Sequence, residues 1–184
     1  MNKQQFMKAF GYRTESLTNL LTNGNFDGTT GWGSNGTTFS VSGNEATMLA
    51  DTQYDTVYRI DVPITNTHKY YYCGWIKSDS AQTAILFGNN AGSLALAYSA
   101  GSGDYEFVSN IYTAINTTDY ARMDALCDLR PSGWTTLKAK YISIIDITSA
   151  FGAGYEPNKA QMDWLMQQFT NRWLDGTQNA LYGW

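Results

Sequence analysis

The chain has 184 residues and a formal net charge of −4, with 12 Lys and Arg against 16 Asp and Glu. It contains no basic run that could follow a phosphate backbone, so we expect no nucleic-acid partner. It also contains no stretch of about 18 apolar residues, and we expect no membrane insertion. The N-terminus lacks the apolar centre and small-residue cleavage site of a secretory signal. The length suits one domain with a single core.

The first segment, residues 1–18, is predicted to be a short N-terminal arm. Phe6, Met7 and Phe10 recur in it at helical spacing. An apolar arm of this kind suits docking on a neighbouring subunit, and the alternative is a disordered leader. Trp184 closes an unusually apolar C-terminus, which we predict to be a second docking contact.

Residues 19–149 are predicted to form a β-sandwich. Short runs of β-branched and aromatic residues alternate there with clusters of Gly, Asn, Asp and Ser, which is typical of all-β sandwiches. The predicted strands are 37–42, 45–49, 54–62, 69–78, 83–87, 94–99, 105–113, 120–129 and 135–148. Gly43 and Asn44 tolerate positive φ and predict a tight hairpin between the first two strands.

Residues 150–184 are predicted to contain a glycine-rich turn, one helix and a tail, packed on the sandwich. Pro157 delays the helix, and Asn158 with Gln161 predicts its capped start. The apolar residues that follow at helical spacing are Met162, Leu165, Met166, Phe169 and Trp173. The predicted fold is therefore an all-β, antiparallel jelly-roll sandwich with an N-terminal arm and one C-terminal amphipathic helix.

The two cysteines, Cys73 and Cys127, each lie inside a predicted strand. They show no CxxC spacing and no nearby histidine, which argues against a metal or redox motif. Two interpretations stay open: a pair of buried, reduced thiols, or a cross-strand disulfide.

The sequence gives little support for a catalytic centre. His68 is the only histidine, and we predict that it is a solvated turn residue, because a triad or a metal site would need more partners. Carboxylate pairs such as Asp51 with Asp55, or Glu45 with Asp61, would catalyse glycoside hydrolysis only at a separation that the sequence does not define. We therefore expect no enzymatic activity.

Aromatic residues are abundant, with 6 Trp, 13 Tyr and 8 Phe. Within Tyr70, Tyr71 and Tyr72, alternate rings are expected on the two sides of one strand. Other rings lie among Gly, Ser, Asn and Asp, where a flat ring can stack on a sugar while polar groups bind its hydroxyls. The predicted carbohydrate-binding residues are Trp32, Tyr54, Tyr98 and Trp134. The alternative is that these rings cap the end of the sandwich.

Three blocks of sequence carry a family resemblance. The first is Asn-Leu-Leu-Thr-Asn-Gly-Asn-Phe-Asp at 19–27, followed by Gly-Trp at 31–32. The second is Val-Pro at 62–63 with His-Lys-Tyr-Tyr at 68–71, and the third is 145–157 with Trp-Leu-Asp-Gly-Thr at 173–177. Together they resemble the carbohydrate-binding-module-like, galactose-binding-type jelly rolls of bacteriophage tail, baseplate and other virion proteins.

The resemblance implies a non-enzymatic virion protein, made in the host cytoplasm, that assists adsorption by binding host cell-surface polysaccharide. Its other partners would be virion proteins. The protein itself would be present as a homo-oligomer or as symmetric copies on the particle. The resemblance also implies a structural calcium ion, for which Asn25 and Asp27 match the first-strand position, although residues 141–144 of the last strand offer no acidic or Asn ligand. No other cofactor is expected. The alternative function is a purely structural virion subunit, such as a capsid decoration, head fibre or tail-assembly component, that has lost sugar binding.

Overall fold

The computed structural model describes residues 16–50, 55–78, 83–87, 95–115, 121–125 and 135–178. For 83–87, 95, 121–125, 135 and 177–178 it describes the backbone alone. No helix within these ranges is long and apolar enough to cross a bilayer.

The described chain is folded mainly into β-strands. They are β1 (Leu17–Thr18), β2 (Gly33–Asn35), β3 (Thr38–Ser42), β4 (Glu45–Ala50), β5 (Thr56–Arg59), β6 (Lys69–Lys77), β7 (Thr83–Phe87), β8 (Ala95–Tyr98), β9 (Tyr105–Thr113), β10 (Ala121–Ala125), β11 (Thr135–Asp146) and β12 (Thr177–Gln178). Between β11 and β12 lie helix α1 (Ile147–Phe151), helix α2 (Lys159–Met166) and a 3-10 turn at Thr170–Arg172.

The strands form two antiparallel five-stranded sheets packed face to face. The first, named the open sheet here, has the order β2-β5-β10-β7-β8. The second, named the covered sheet, has the order β3-β4-β11-β6-β9. A small third sheet pairs β1 with β12. This architecture confirms the predicted all-β, antiparallel sandwich.

The predicted hairpin is present between β3 and β4. Gly43 and Asn44 both have positive φ, at 59° and 60°, and the strands pair directly on either side of them. The sequence did not predict β2, because Gly33–Asn35 contains no β-branched or aromatic residue. That strand exists through its pairing with β5.

The last long strand ends earlier than predicted. We expected it to run to Thr148, but β11 stops at Asp146 and α1 begins at Ile147. The Asp146 side chain accepts a hydrogen bond from the Ser149 backbone N–H at 2.8 Å, as an N-cap does. A capping carboxylate therefore turns an apolar, strand-like run into a helix.

The core between the sheets follows the two-residue period of the strands. Tyr70 and Tyr72 belong to this core, while Tyr71 lies on the opposite face of the covered sheet, and all three are 0% exposed. The prediction of rings on both sides of this strand is confirmed. Cys73 is a free, buried thiol, and burial raises its pKa to about 12. Cys127 lies outside the described residues.

A second core lies between the covered sheet and the C-terminal segment. Its buried residues are Leu17, Tyr71, Cys73, Ile145, Ile147, Phe151, Met162, Leu165, Met166 and Leu174. They come from β1, β6, β11, both helices and the chain after α2. The predicted packing of an amphipathic helix on the sandwich is confirmed, and its effect is to cover one sheet on both faces.

Helix α2 begins as predicted and ends early. Asn158 and Gln161 form a reciprocal capping box, with hydrogen bonds of 3.0 and 2.9 Å. The predicted continuation to Trp173 is wrong, because the helix ends at Met166. The 3-10 turn that follows contains Asn171 in the left-handed region, with φ 58°, which interrupts the helical path.

Candidate functional site

The outer face of the open sheet is the candidate site. Register fixes which residues share this face: Val57 and Ala97 lie in the inter-sheet core, so their strand neighbours Tyr58 and Tyr98 lie on the outer side. Cross-strand pairing adds further positions to the same face. In strand order these are Gly33, Asn35, Thr56, Arg122, Asp124, Ala84, Leu86 and Leu96.

Tyr58 lies flat across the neighbouring strand. A Cβ at Gly33 would come within 2.8 Å of the Tyr58 ring carbon Cζ, so only a glycine leaves room for the ring there. Tyr58 is half-buried, and the residue before it, Val57, is fully buried. The ring is therefore held against the sheet at Gly33.

Tyr98 lies at the far edge of the same face. It is on the edge strand β8, its side chain is 48% exposed, and its neighbours Ala97 and Ser99 are buried. Three strand spacings of about 4.8 Å separate β5 from β8, which places Tyr58 and Tyr98 on the order of 15 Å apart. Two rings at this separation can each stack on a sugar ring of one saccharide chain.

Sequence reasoning identified Tyr98 and missed Tyr58. The predicted set was chosen for rings among Gly, Ser, Asn and Asp, whereas Tyr58 has Val57 and Arg59 as its neighbours. The available signal was the alternation Thr-Val-Tyr-Arg at 56–59, since an inward Val57 requires an outward Tyr58.

Trp32 does not form the exposed stacking surface that we predicted. It is only 9% exposed, and its ring stacks on Phe26 with centroids 4.8 Å apart. The indole Nε1 donates to the carbonyl of Asn23 at 3.1 Å, and the Arg59 guanidinium lies 5.8 Å from the ring. Its glycine-rich loop folds inward, so Trp32 belongs to the core.

Several predicted site residues lie outside the described chain. They are Tyr54 and Trp134 of the carbohydrate-binding set and Phe6, Met7, Phe10 and Trp184 of the docking set. The described end of the predicted arm does make contacts: Leu17 is fully buried, and β1 pairs with β12.

The loop proposed for calcium is held by an asparagine. The Asn23 side chain accepts from the Asp27 backbone N–H at 2.7 Å and donates to the carbonyls of Gly28 and Thr30, each at 3.0 Å. Asp27 itself is exposed, and Asn25 is half-buried. Within the described ranges no three His, Cys, Asp or Glu side chains are grouped so that they could hold a metal ion. The calcium site at Asn25 and Asp27 therefore stays a prediction.

The first recognisable block, residues 19–27, forms structural contacts. The amide of Asn19, 5% exposed, donates to the carbonyls of Ile142 and Leu174 and accepts from the backbone of Leu21 and Ile144. A Cβ at Gly24 would lie 2.1 Å from the Ile142 carbonyl oxygen, at the bulge of β11. These residues fasten the first segment to the last strand.

The third block contains a clamp centred on Glu156. Its carboxylate accepts hydrogen bonds from the Thr148 hydroxyl at 3.0 Å, the Gly154 backbone N–H at 3.0 Å and the Lys69 ammonium at 3.3 Å. Gly152 and Gly154 have φ of 92° and 82°, so the chain can double back between the two helices. The third block therefore has a structural role, because Glu156 holds the turn between the two helices.

His68 is a hydrogen-bonded residue rather than the solvated one we predicted. Its Nδ1 lies 2.8 Å from Asp146 Oδ2 and 3.4 Å from Ser149 Oγ. A serine nucleophile is activated through Nε2 while the acid holds Nδ1. Here Asp146 and Ser149 both contact Nδ1, and Asp146 also caps α1. The arrangement is therefore that of a structural cluster and differs from a catalytic triad.

The carboxylates with shifted pKa values are all held ionised. Burial alone would raise the pKa of Glu45, but hydrogen bonds from Lys138 and Tyr105 outweigh it and lower that pKa. A hydrogen bond from Arg59 lowers the pKa of Asp61. The pKa values of Glu106 and Glu156 are lowered as well. A glycosidase acid needs a raised pKa, whereas the pKa values of these four carboxylates are lowered.

No protein-family model and no curated protein matches the sequence. The fold, in contrast, is found in solved structures. The N-terminal cellulose-binding domain of Cellulomonas fimi β-1,4-glucanase C matches 72% of this chain and 94% of its own, with 15% identity and a TM-score of 0.50. A CBM4 module matches 67% and 97%, with 12% identity and a TM-score of 0.49. A family 29 carbohydrate-binding module complexed with cellulohexaose matches 71% and 91%, with 13% identity and a TM-score of 0.48. The chain therefore has the β-sandwich fold of carbohydrate-binding modules.

Proposed function

We propose that this chain is a non-enzymatic glycan-binding module that binds polysaccharide on the outer face of the open sheet. The observation that carries the proposal is the pair Tyr58 and Tyr98, both on the sheet face that no described element covers. The shared fold with a cellulose-binding domain supports polysaccharide as the ligand class to test.

The chemistry of this face suits a sugar chain. Tyr58 and Tyr98 offer rings for stacking on C–H faces, and the exposed amide of Asn35, on the strand next to that of Tyr58, is available for hydroxyl groups. Arg122 and Asp124 occupy register positions between the two tyrosines. A saccharide that contacts both rings would run across the strands, over β10 and β7.

We further propose that the module works on a bacteriophage virion, where it assists adsorption to host-surface glycans. The resemblance of residues 19–27 and 145–157 to phage virion proteins supports this setting. Both blocks have structural roles in this fold, through Asn19 and Gly24 in one and Glu156 in the other. The two blocks therefore support an architecture shared with phage virion proteins. The ligand has to be found by experiment.

The proposal is tested by binding of the purified, fluorescently labelled protein to a panel of intact bacteria and to their isolated wall polysaccharides. We expect saturable binding that the matching polysaccharide competes, and a loss of about tenfold in affinity for Tyr58→Ala and for Tyr98→Ala. Tyr155→Ala is the matched control, because Tyr155 is 55% exposed but lies in the turn before α2, away from the open sheet.

Two outcomes would overturn the assignment. Equal binding by wild type and both open-sheet variants would exclude this face as the site. Absence of binding to every cell and polysaccharide, together with tight association with phage particles that lack the protein, would favour the structural virion subunit instead.

A further inference from the structure

The outer face of the covered sheet is only partly occupied by the C-terminal segment. Beyond the second core, cross-strand pairing places two rows of residues side by side on this face. The first row is Thr47, Lys138, Lys77 and Tyr105, and the second is Lys140, Trp75 and Phe107. Arg172, from the 3-10 turn, lies over the second row. We name Lys77, Lys138, Lys140, Arg172, Trp75, Phe107 and Tyr105 the basic aromatic patch.

The patch is positively charged on a chain whose net charge is negative. Glu45 is the acid in contact with it, and it accepts hydrogen bonds from Lys138 at 2.6 Å and from Tyr105. Within the described chain no carboxylate forms an ion pair with Lys77, Lys140 or Arg172. Three cations are therefore left for an external anion.

Arg172 is held in place by the aromatic rings and by its backbone. Its guanidinium lies 4.6 Å from the centroid of Phe107 and 5.5 Å from that of Trp75. Trp75 Nε1 donates to the Asn171 carbonyl at 2.8 Å, and Asn171 and Arg172 both have left-handed φ, 58° and 53°. Strain of this kind persists only where surrounding contacts hold it. A stacked guanidinium keeps its N–H groups available at the edge, in the fork that matches a carboxylate or phosphate.

A second cation is fixed in a similar way. Lys140 Nζ lies 3.7 Å above the Tyr105 ring, and the Tyr105 hydroxyl is in turn held by Glu45. Lys140 is also the cross-strand partner of Trp75, which stacks with Arg172. The two cations are thus ordered before any ligand arrives, which lowers the entropic cost of binding.

We propose that the basic aromatic patch is a second binding site, specific for saccharide units that carry a carboxylate or a phosphate. The rings hold the two stacked cations in position, and Arg172, Lys140 and Lys77 bind the acidic group of the saccharide. The inference rests on the proposed function for its ligand class, but the patch and the open-sheet face are on opposite sheets, so each can fail while the other stands. The module would then bind a charged polysaccharide at the basic aromatic patch and a neutral segment at the open-sheet face.

The test compares polygalacturonate, its fully methyl-esterified form and a phosphomannan, with binding to the intact protein measured by calorimetry at low and physiological salt. We expect the esterified polymer to bind about tenfold more weakly than the charged one, because the ester removes the anion and keeps the sugar. A preference for polygalacturonate or for phosphomannan distinguishes the two acidic groups.

Variants locate the site. The double variant Lys77→Met with Lys140→Met should bind the charged polymer about tenfold more weakly. Arg172→Lys should weaken this binding by a comparable factor, because lysine lacks the guanidinium fork. Lys159→Met is the matched control, since Lys159 pairs with Asp163 on α2, away from the patch. Tyr58→Ala should leave this binding unchanged. If Arg172→Lys unfolds, the double variant at Lys77 and Lys140 carries the test alone.

Several results would overturn the proposal. These are equal affinity for charged and esterified polymer, the same loss in Lys159→Met as in the double variant, and no binding to any acidic polymer. Equal competition by double-stranded DNA would show a general polyanion surface, which also contradicts a saccharide site. Loss of binding in Tyr58→Ala alone would assign all binding to the open sheet.

Discussion

The outer faces of the two sheets have different surroundings although they belong to the same kind of sheet. On the covered sheet, Tyr71 is 0% exposed beneath α2, and its hydroxyl donates to Asp163 Oδ1 at 2.7 Å. On the open sheet, Tyr98 is 48% exposed, and Asn35 is exposed as well. A strand residue that points outward can therefore serve either packing or binding, depending on what lies above it.

The polar groups of the two faces also have different hydrogen-bond partners. Asp163, a residue of α2, receives three hydrogen bonds, from Tyr71, from Ser109 at 2.5 Å and from Lys159 at 2.7 Å. A partly buried carboxylate needs such donors, because losing water without replacement costs several kcal/mol. On the open face, Asn35 is exposed and is available to sugar hydroxyls. The carboxylate of Asp163 thus has protein donors in place of water, whereas the amide of Asn35 is left for a ligand.

The largest effect is expected at the packed face. Leu165→Ala should destabilise the fold by about 2–5 kcal/mol, because Leu165 is 0% exposed between α2 and the covered sheet. The matched control is Leu49→Ala at a leucine that is 37% exposed, where we expect a change of about 0.5 kcal/mol. Urea unfolding measures both. Similar losses in the two variants would contradict the packing role assigned to α2.

A smaller effect is expected from acid at the Glu156 clamp. Burial would raise the pKa of Glu156, but hydrogen bonds from its own backbone, Thr148 and Lys69 outweigh burial and lower it below 4.5. A lowered folded-state pKa contributes stability that is present above pH 4.5 and is lost as pH falls through the folded pKa.

The clamp is tested by thermal unfolding of wild type and Glu156→Gln between pH 7 and about pH 3. Other carboxylates with lowered pKa values, including Glu45 and Asp61, remain in both proteins. The stability difference between the two proteins should therefore be about 1 kcal/mol at neutral pH and shrink in acid. Parallel curves across this range would show that Glu156 is not held ionised.

The smallest effect on stability is expected at the open face. Gly33→Ala places a Cβ within 2.8 Å of the Tyr58 ring, so the ring has to shift. We expect a stability change below about 1 kcal/mol and a several-fold loss of polysaccharide affinity. Ser34→Ala is the control, because Ser34 is the next residue of β2 and is exposed. Unchanged polysaccharide affinity in Gly33→Ala would show that Tyr58 is not part of the binding site.

Much of the fold could be predicted because its signals are local. The β3–β4 hairpin follows from Gly43 and Asn44, and the start of α2 follows from Asn158 and Gln161, since each depends on residues a few positions apart. The end of β11 was misplaced because the capping role of Asp146 competes with an apolar run that favours a strand. Boundaries fail where two local preferences conflict.

The candidate site was harder to predict. Trp32 lies in a loop of Gly, Ser and Asn, and its composition indicates exposure, yet contact with Phe26 and Arg59 places it in the core. Tyr58 lies in a strand and was not predicted, although it is on the outer face of the open sheet. Exposure depends on contacts between distant segments, which a local pattern does not contain.

The sequence by itself determined the β-sandwich class, the hairpin and capping chemistry, and the alternation that places Tyr70 and Tyr72 on one side of a strand and Tyr71 on the other. Tertiary structure alone decided which sheet the C-terminal segment covers and therefore which aromatic residues stay accessible. It also brought Arg172 over Trp75, 97 positions away along the chain. The physical reason is that turns and caps are set by neighbouring residues, whereas burial is set by the packing of whole elements against one another.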